Sequence, residues 1–540
     1  MREGRTMLIS LIVNAEITDC YGVNVLAAQL KRLRDVRVQL FYIFYNFNQF
    51  YPEQTVEDLV HFCKGSDLVG LSLLSSGYQN SIQINDALKR AYDGPIVWGG
   101  KHPTIDPEDC IQHADMVALS EGEDTFYELA QRMQSGQPYK NIQGLWVRDN
   151  GDIIKNPLRS LETNLDRYLF PDYSLENKFI FDKDTHRVRP AINSDLDHLR
   201  RWYPTMITRG CPNFCTFCTN SVDKRLRQMR TRSIDNVIAE VKEFLYQHPD
   251  TQRVFFRDDC ISAMPMEFIT EFSERWKKEV NLPCSCSGVI ATSRHFREKI
   301  EILTNGGFMN FKMGIQSGCE RVRKKVFARV GETNDVIMAA ANALNTHCQG
   351  KINYYMITDN PWESENELID SIRFTSKLPR PFSLSLFSLN FYPGTALYNR
   401  AIKHQIIKNK AEALIDSIMD FQNTYLNKVF ILLKHFEFPP ALVHFMTRKT
   451  VFAGEKYRKI FDAIFRFLCR TDVPTRSIQR PELRKDGFSP ANMIRWLAWT
   501  VARRGFKVYH RKFVTPRAGQ ESTSKGRDFD LPRQQAWWKR

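Results

Sequence analysis

Five apolar runs recur between Met7 and Glu123, and stretches with apolar residues at helical spacing separate them. The runs are MLISLIV (Met7–Val13), VRVQLFYIF (Val36–Phe44), DLVGLSLLS (Asp67–Ser75), PIVWGGKHP (Pro95–Pro103) and DMVALSEGE (Asp115–Glu123). They lack the apolar–polar alternation of half-exposed strands, so they read as strands covered on both faces. Strands of that kind with helices between them predict an α/β fold built on a parallel, doubly wound sheet. Met7–Val13 is too short for a secretory leader and has no small-residue cleavage site before Glu16, so it reads as the first strand. Sheets of this type bind ligands beyond the carboxyl ends of their strands, where the strand order reverses. Those ends carry Ser75 and Ser76, Gly99 and Gly100, and Glu121 and Gly122. Glycine admits a ligand close to the backbone and serine offers hydrogen bonds, which makes these six residues candidate cofactor contacts. A Rossmann dinucleotide site is disfavoured, because no G-x-G-x-x-G follows the first strand.

The second constraint is RGCPNFCTFC (Arg209–Cys218), with three of the chain's 12 cysteines in ten residues. A structural zinc site takes four ligands, and no fourth Cys or His follows at finger spacing; Cys260 lies about forty residues on. Three thiolates suit an iron–sulfur cubane in which one iron keeps a position open to an outside ligand. Cys211, Cys215 and Cys218 are therefore the candidate metal ligands. Cys284 and Cys286 fall on one side of a strand, and nothing clusters near them to hold a second centre. Cys20, Cys63, Cys110, Cys260, Cys319, Cys348 and Cys469 read as ordinary buried thiols. The spacings are not those of a disulfide framework, so a reducing, cytoplasmic location is expected.

The C-x3-C-x2-C spacing, with Phe217 before the last cysteine, closely resembles the radical SAM motif. The resemblance runs from Trp202 to about Ala401 and implies a partial (β/α)6 barrel. It places the first strand at Met206–Thr208, a second ending in Asp258-Asp259, a third at CSCSGVIATSR, a fourth ending in Gln316-Ser317, a fifth before Asp359–Glu363, and a sixth before Tyr392–Thr395. It implies a [4Fe-4S] cluster whose open iron chelates S-adenosylmethionine (SAM). It also implies an electron donor such as flavodoxin or ferredoxin, and cleavage of SAM to a 5′-deoxyadenosyl radical. Phe217, Asp259, Gln316 and Ser317 are the cofactor-contact positions so implied, although Asp258 and Asp259 read equally well as helix caps. Where the family commonly has Gly-x-Pro-Gly-Glu, this chain has Asp359-Asn360-Pro361-Trp362-Glu363, which puts Trp362 near the substrate region.

VWGGKHPT and ADMVALSEGEDTFYEL lie in a segment, Met7 to Asn141, that looks like the cobalamin-binding domain found ahead of many radical SAM enzymes. The D-x-H-x-x-G motif that supplies a lower axial histidine is absent; NAEITDCYGVN stands there. His102 is read as shaping the pocket rather than as a cobalt ligand. The two resemblances imply a cobalamin-dependent radical SAM enzyme that methylates an unreactive carbon. The alternative is a radical SAM cyclase, oxidase or rearrangement enzyme, with or without cobalamin. A tRNA-modifying methylthiotransferase is disfavoured, because Cys20, Cys63 and Cys110 fall on different elements, and a non-enzymatic zinc protein more so.

The expected domains are a cobalamin-binding-like domain (1–143), a connector packed between domains (144–200), the radical SAM core (201–412), a helical basic domain (413–513) and a disordered tail (514–540). Residues 421–540 hold 25 of the 76 Lys and Arg but 9 of the 61 Asp and Glu, a local balance of +16, while the rest of the chain is close to neutral. The basic end suits an acidic partner or an anionic membrane surface, or else is a solvated face. Its helix ANMIRWLAWTVARRGFKVYHRKF reads either as a surface binder or as a core-packing element. No run is long and apolar enough for a transmembrane helix. The acceptor is expected to be a small molecule, a lipid or a peptide.

Overall fold

Hydrophobic burial on both faces of a central sheet organises the N-terminal part of the molecule. The structure is a computed structural model that describes residues 6–16, 20–44, 50–408, 421–435, 438–452, 454–455, 458–459, 461–463 and 465. The chain divides into two compact units: Met1–Val289 with Asn305–Phe308 and Asn390–Ser417, and Ile290–Thr304 with Met309–Leu389 and Ile418–Arg540.

In the first unit, β1 (Met7–Val13), β2 (Val36–Tyr42), β3 (Leu68–Ser72), β4 (Ile96–Gly99) and β5 (Met116–Ala118) are parallel. Their order, β5-β4-β3-β1-β2, places the switch point between β1 and β3. Ile9, Phe41, Val69, Trp98 and Val117 are wholly buried, as unalternated strands require. The stretch 144–200, expected as a connector, instead extends this sheet at both edges. β6 (Leu145–Asp149) and β7 (Asp152–Lys155) form an antiparallel hairpin on β5. The positive φ angles of Asn150 (50°) and Gly151 (96°) make its two-residue turn. β8 (Lys178–Asp182) pairs in parallel with β2, and β9 (Arg187–Pro190) pairs antiparallel with β8.

The same unit holds β10 (Tyr203–Thr205), β13 (Val254–Phe256) and β14 (Cys284–Val289), which pair in parallel in that order. The strand that leads to the cysteines is thus Tyr203–Thr205, a few residues before the expected Met206–Thr208. Thr208–Arg209 (β11) pairs antiparallel with Arg230–Thr231 (β12) and brackets the cysteine loop. The amphipathic helices Ile234–Gln247 and Met266–Glu279 follow β12 and β13.

The second unit carries β15 (Phe308–Gln316), β16 (Ile352–Thr358) and β17 (Ser383–Ser388), again parallel, with helices Asn334–His347 and Glu365–Lys377 after the first two. Further helices span Tyr425–His435, Pro440–Met446 and Lys449–Phe452, and the first packs on helix Glu365–Lys377 and on β17. The described part of the expected C-terminal domain is therefore helical. The basic helix, the tail and Cys469 lie outside the described residues. Among the described residues no helix is long and apolar enough to cross a membrane.

A buried polar knot ties helix Tyr21–Leu30 of the first sheet to helix Ile234–Gln247. Glu240 accepts hydrogen bonds from Tyr21 (3.1 Å) and Tyr203 (3.0 Å) and pairs with Arg232 at 2.6 Å. Glu240→Leu leaves the buried Arg232 guanidinium without its carboxylate and is expected to destabilise the protein by about 3–5 kcal/mol. Glu240→Gln should cost less. Urea unfolding midpoints of the two variants check the order.

Candidate active site

The cysteine loop is held by backbone bonds on both sides. Cys211 N–H donates to the Leu226 carbonyl (2.9 Å), Cys218 N–H to Cys215 (3.0 Å) and Leu397 N–H to Thr216 (3.1 Å). Gly210 has φ of +98°, and a Cβ there would stand 2.6 Å from the Leu226 oxygen and 2.8 Å from that of Gln228. Only glycine admits this approach, so the loop is pressed onto the 224–228 turn immediately before its first thiol. Cys215 is buried, and Cys211 and Cys218 are half-buried. Burial pushes the Cys211 thiol up to about 11 and raises Cys218 as well. Burial thus favours the protonated thiol at Cys211 and Cys218, and metal ligation would have to displace those protons. Among the described residues no three His, Cys, Asp or Glu side chains are placed to hold a single metal ion. Three sulfurs on one loop are a donor set that would suit a cubane with one open iron.

Asp258 does not cap a helix. Wholly buried, it accepts bonds from the Ile207 N–H (3.0 Å), the Thr208 N–H (2.6 Å) and the Thr208 hydroxyl (2.7 Å). Burial raises its pKa to about 6, against the pull of these donors. Asp259, one residue on, is exposed and accepts from the Asn220 amide at 2.8 Å. Asn220 follows the last cysteine by two residues, and its side-chain Oδ1 accepts from Lys101 Nζ at 2.5 Å. Lys101 follows Gly100 at the end of β4, so this chain of three side chains joins the first sheet to the cysteine loop. Asn220 and Lys101 escaped sequence reasoning, although Lys101 stands inside the GGKHP run.

The loop after β5 makes a second junction. Ser120 donates to Asp223 (3.1 Å), Arg230 donates to Glu121 (2.9 Å) and to the Glu162 carbonyl (2.8 Å), and Arg209 pairs with Glu123 (2.6 Å) and Glu121 (3.3 Å). Burial works to raise the Glu121 carboxyl, but the Arg230 hydrogen bond and the two guanidinium charges prevail and hold it below its usual range. Glu121, expected as a cofactor contact, is thus engaged by two arginines. Of the other switch-point residues, Ser75 bonds His102 Nδ1 at 3.0 Å, and the buried His102 ring packs on Tyr78. His102 therefore shapes the loop. Gly100 has φ of +100°, and its Cβ would stand 2.9 Å from the Leu73 oxygen. At Gly99 and Gly122 a Cβ would meet nothing closer than 3.8 Å, so the backbone there stands open to a ligand. Ser76 is exposed. These open strand ends fit a cofactor held through backbone contacts.

In the second unit Gln316 ends β15 with φ of +69°, beside a register shift between Gly314 and Gln316. Positive φ in a long side chain is strain of the kind found at ligand sites. Ser317 is 1% exposed, and its hydroxyl is taken up by Glu363 (2.9 Å), Ser371 (3.0 Å) and the Cys319 N–H (3.1 Å). Its side chain braces the next loop rather than facing a ligand. Burial raises the Glu363 carboxyl to about 7, against bonds from Ser317 and Ser371. Trp362 is half-buried, and its carbonyl accepts from Arg321 at 2.6 Å. Cys284 and Cys286 are buried on β14, as are Cys20, Cys63, Cys110 and Cys260 elsewhere, while Cys319 and Cys348 are half-buried.

Two outcomes follow from this geometry. Gly210→Ala should displace the loop and lower iron content after reconstitution several-fold, as read by iron and sulfide analysis. Glu363 keeps its proton in the folded state between its ordinary 4.5 and about 7, where the unfolded chain has lost it. The group's contribution to stability therefore falls as pH rises through that window and is flat above it. Glu363→Gln should remove this decline, seen by comparing urea midpoints across the window.

The Radical SAM superfamily profile matches residues 205–372, and the B12 binding domain profile matches residues 12–130. The chain is 25% identical over 427 residues to an uncharacterized methyltransferase of Pyrococcus horikoshii, covering 76% of this chain and 85% of that protein. It is 23% identical over 387 residues to cytidylyl-2-hydroxyethylphosphonate methyltransferase of Streptomyces wedmorensis, covering 65% and 70%. The fold resembles that of the cobalamin-dependent SAM radical enzyme OxsB with aqua-cobalamin bound, with TM-score 0.61, 14% identity and coverage of 94% of this chain and 81% of that one. It also resembles the radical SAM methyltransferase TsrM of Kitasatospora setae with cobalamin and a [4Fe-4S] cluster bound, with TM-score 0.59, 14% identity and coverage of 74% and 78%. A B12-binding domain thus precedes a radical SAM domain in one chain, each built on the sheet its residues predict, and the chain is a radical SAM enzyme with a B12-binding domain whose named relatives are methyltransferases.

Proposed function

We propose that the enzyme transfers a methyl group to an unactivated carbon of a small-molecule, lipid or peptide acceptor, with residues 1–143 holding cobalamin and 201–412 forming the radical SAM core. The relatives that carry the name methyltransferase support this reading. The observation that carries it is the pair of junctions within one compact unit. The exits of β4 and β5, where a parallel sheet receives its ligand, are hydrogen-bonded through Lys101, Ser120 and Glu121 to the flanks of the cysteine loop. A methyl carrier and a radical source have to reach the same acceptor, and this docking brings their two binding edges together.

Cobalamin, when bound, supplies the methyl group, and the cluster with SAM supplies the one-electron cleavage that activates the acceptor. The protein's part is placement. Cys211, Cys215 and Cys218 offer the three thiolates, and Phe217 occupies the turn between the last two. Asp258 fixes the entry to the loop, and the Lys101–Asn220–Asp259 chain fixes its exit. Gly99 and Gly122 leave the sheet's ligand edge open, and Gly100 lets the chain turn closely against Leu73. Gln316 presents its strained backbone at the end of β15. An electron donor of the flavodoxin or ferredoxin class completes the requirements.

Anaerobically reconstituted protein is expected to retain cobalamin and to form S-adenosylhomocysteine only when cobalamin is present. Alanine at any one of the three cysteines should abolish SAM cleavage and most of the bound iron while leaving cobalamin in place. Protein that never retains cobalamin would refute methyl transfer, and 5′-deoxyadenosine without any methylated product would favour the ring-forming or oxidative chemistry instead.

A further inference from the structure

Lys101 leaves the first sheet from a turn that several contacts hold. Thr104 Oγ1 donates to the Gly100 carbonyl (2.8 Å), and the Ser120 N–H donates to Thr104 Oγ1 (2.9 Å). The turn Tyr392–Thr395 presses on the same place: a Cβ on Gly394 would stand 2.9 Å from the Ile105 carbonyl oxygen and 3.3 Å from Val222 Cγ1. Val222 follows Asn220 by two residues, so the turn that carries Lys101 and the segment leaving the cysteine loop meet one common neighbour. Lys101 Nζ then donates to Asn220 Oδ1 at 2.5 Å, and Asn220 Nδ2 donates to Asp259 at 2.8 Å. The Asn220 amide is thus gripped at both of its ends.

The backbone of the same residue reaches a candidate cluster ligand. The Asn220 N–H hydrogen-bonds to the Cys218 sulfur. Burial raises that thiol, while the Asn220 N–H and the Lys101 charge act in the opposite direction. Hydrogen bonds to the sulfurs and the charge around them are what tune an iron–sulfur centre. A donor N–H and a nearby cation both favour the reduced state, which carries one more negative charge. Lys101 is exposed, and an exposed polar contact adds little to stability. The largely buried pairs of Glu121 with Arg209 and Arg230 already hold the loop to the sheet. What Lys101 adds to them is a charge beside Cys218.

We propose that Lys101 is a positioning residue for the radical centre: from the cobalamin-binding sheet it acts through Asn220 on the Cys218 sulfur, and it raises the reduction potential of the bound cluster. The proposal rests on the reading of Cys211, Cys215 and Cys218 as cluster ligands. No bond forms or breaks at Lys101; one electron from the flavodoxin- or ferredoxin-class donor enters a cluster that this charge makes easier to reduce. The ease of reduction is then set by a side chain of the domain that holds the methyl carrier.

The test is a redox titration followed by electron paramagnetic resonance. It uses the anaerobically reconstituted full chain, unmodified and as Lys101→Arg, Lys101→Gln and Lys101→Met. At the potential where half of the unmodified clusters are reduced, Lys101→Met should lower the ratio of reduced to oxidised cluster by about fivefold, the scale of one partly screened charge. Lys101→Gln, which keeps a polar side chain without the charge, should shift the same way. Lys101→Arg should stay with the unmodified protein. A midpoint does not depend on how much of the sample is loaded, so a variant that binds less iron still gives a reading. A merely structural role would lower iron content and leave the midpoint in place. Unchanged midpoints in the Met and Gln variants, or an equal displacement in Lys101→Arg, would overturn the proposal. Absence of any cluster from the unmodified protein is a separate result, which refutes the cluster reading and this proposal with it.

Discussion

The carboxylate of Asp258 fixes where the cysteine loop begins. It lies directly after β13 and gathers two backbone N–H groups and one hydroxyl from Ile207 and Thr208, just ahead of Gly210 and Cys211. The entry to the loop is thereby tied to the end of the neighbouring strand rather than left to its own turn. With a pKa of about 6 the group is ionised at neutral pH, and three donors meet its charge in a fully buried site. Gly210 completes the arrangement, because only a residue without a Cβ lets the chain lie against the Leu226 and Gln228 carbonyls. The shape of the cysteine loop therefore depends on a buried charge and on a missing side chain, neither of which belongs to a cysteine.

The second dependence is the docking of the first sheet onto this loop. Arg209 and Arg230 belong to the small β11–β12 ribbon that brackets the cysteines, and both reach Glu121 at the exit of β5. Buried pairs of this kind add little net stability, since desolvation offsets much of their attraction. They do penalise any other docking, which would leave a guanidinium buried without its carboxylate. The same logic holds at Glu240, where Arg232 and two tyrosines from different elements converge. A two-cofactor enzyme needs fixed separation between its binding edges more than it needs extra stability, and charged contacts deliver that.

The departure from the family's glycine-rich turn has a physical counterpart. Asp359 adopts φ of +57°, the left-handed region that a glycine would enter freely. Its carboxylate accepts from Asn427 at 2.6 Å and from the Gln422 N–H at 3.2 Å, so the strained residue anchors the helix Tyr425–His435. A side chain at a position that favours glycine therefore joins the strand end to the start of the helix Tyr425–His435.

The sequence by itself determined the doubly wound parallel sheet, the order of its strands along the chain, the second set of parallel strands and the grouping of three thiols on one loop. Each of these rests on local information: unalternated apolar runs, helical periodicity, and spacing along a covalent chain. Only the tertiary structure decided what the polar side chains do. Glu121 was read as a ligand contact and meets Arg230, 109 residues away; Ser317 was read likewise and meets Glu363, 46 residues away. The stretch 144–200 was read as a connector, but its strands are short and partly polar, and such strands form only against a sheet edge that already exists. A hydrogen bond or ion pair is chosen by which groups packing brings within about 3 Å, and nothing in the local sequence records that choice.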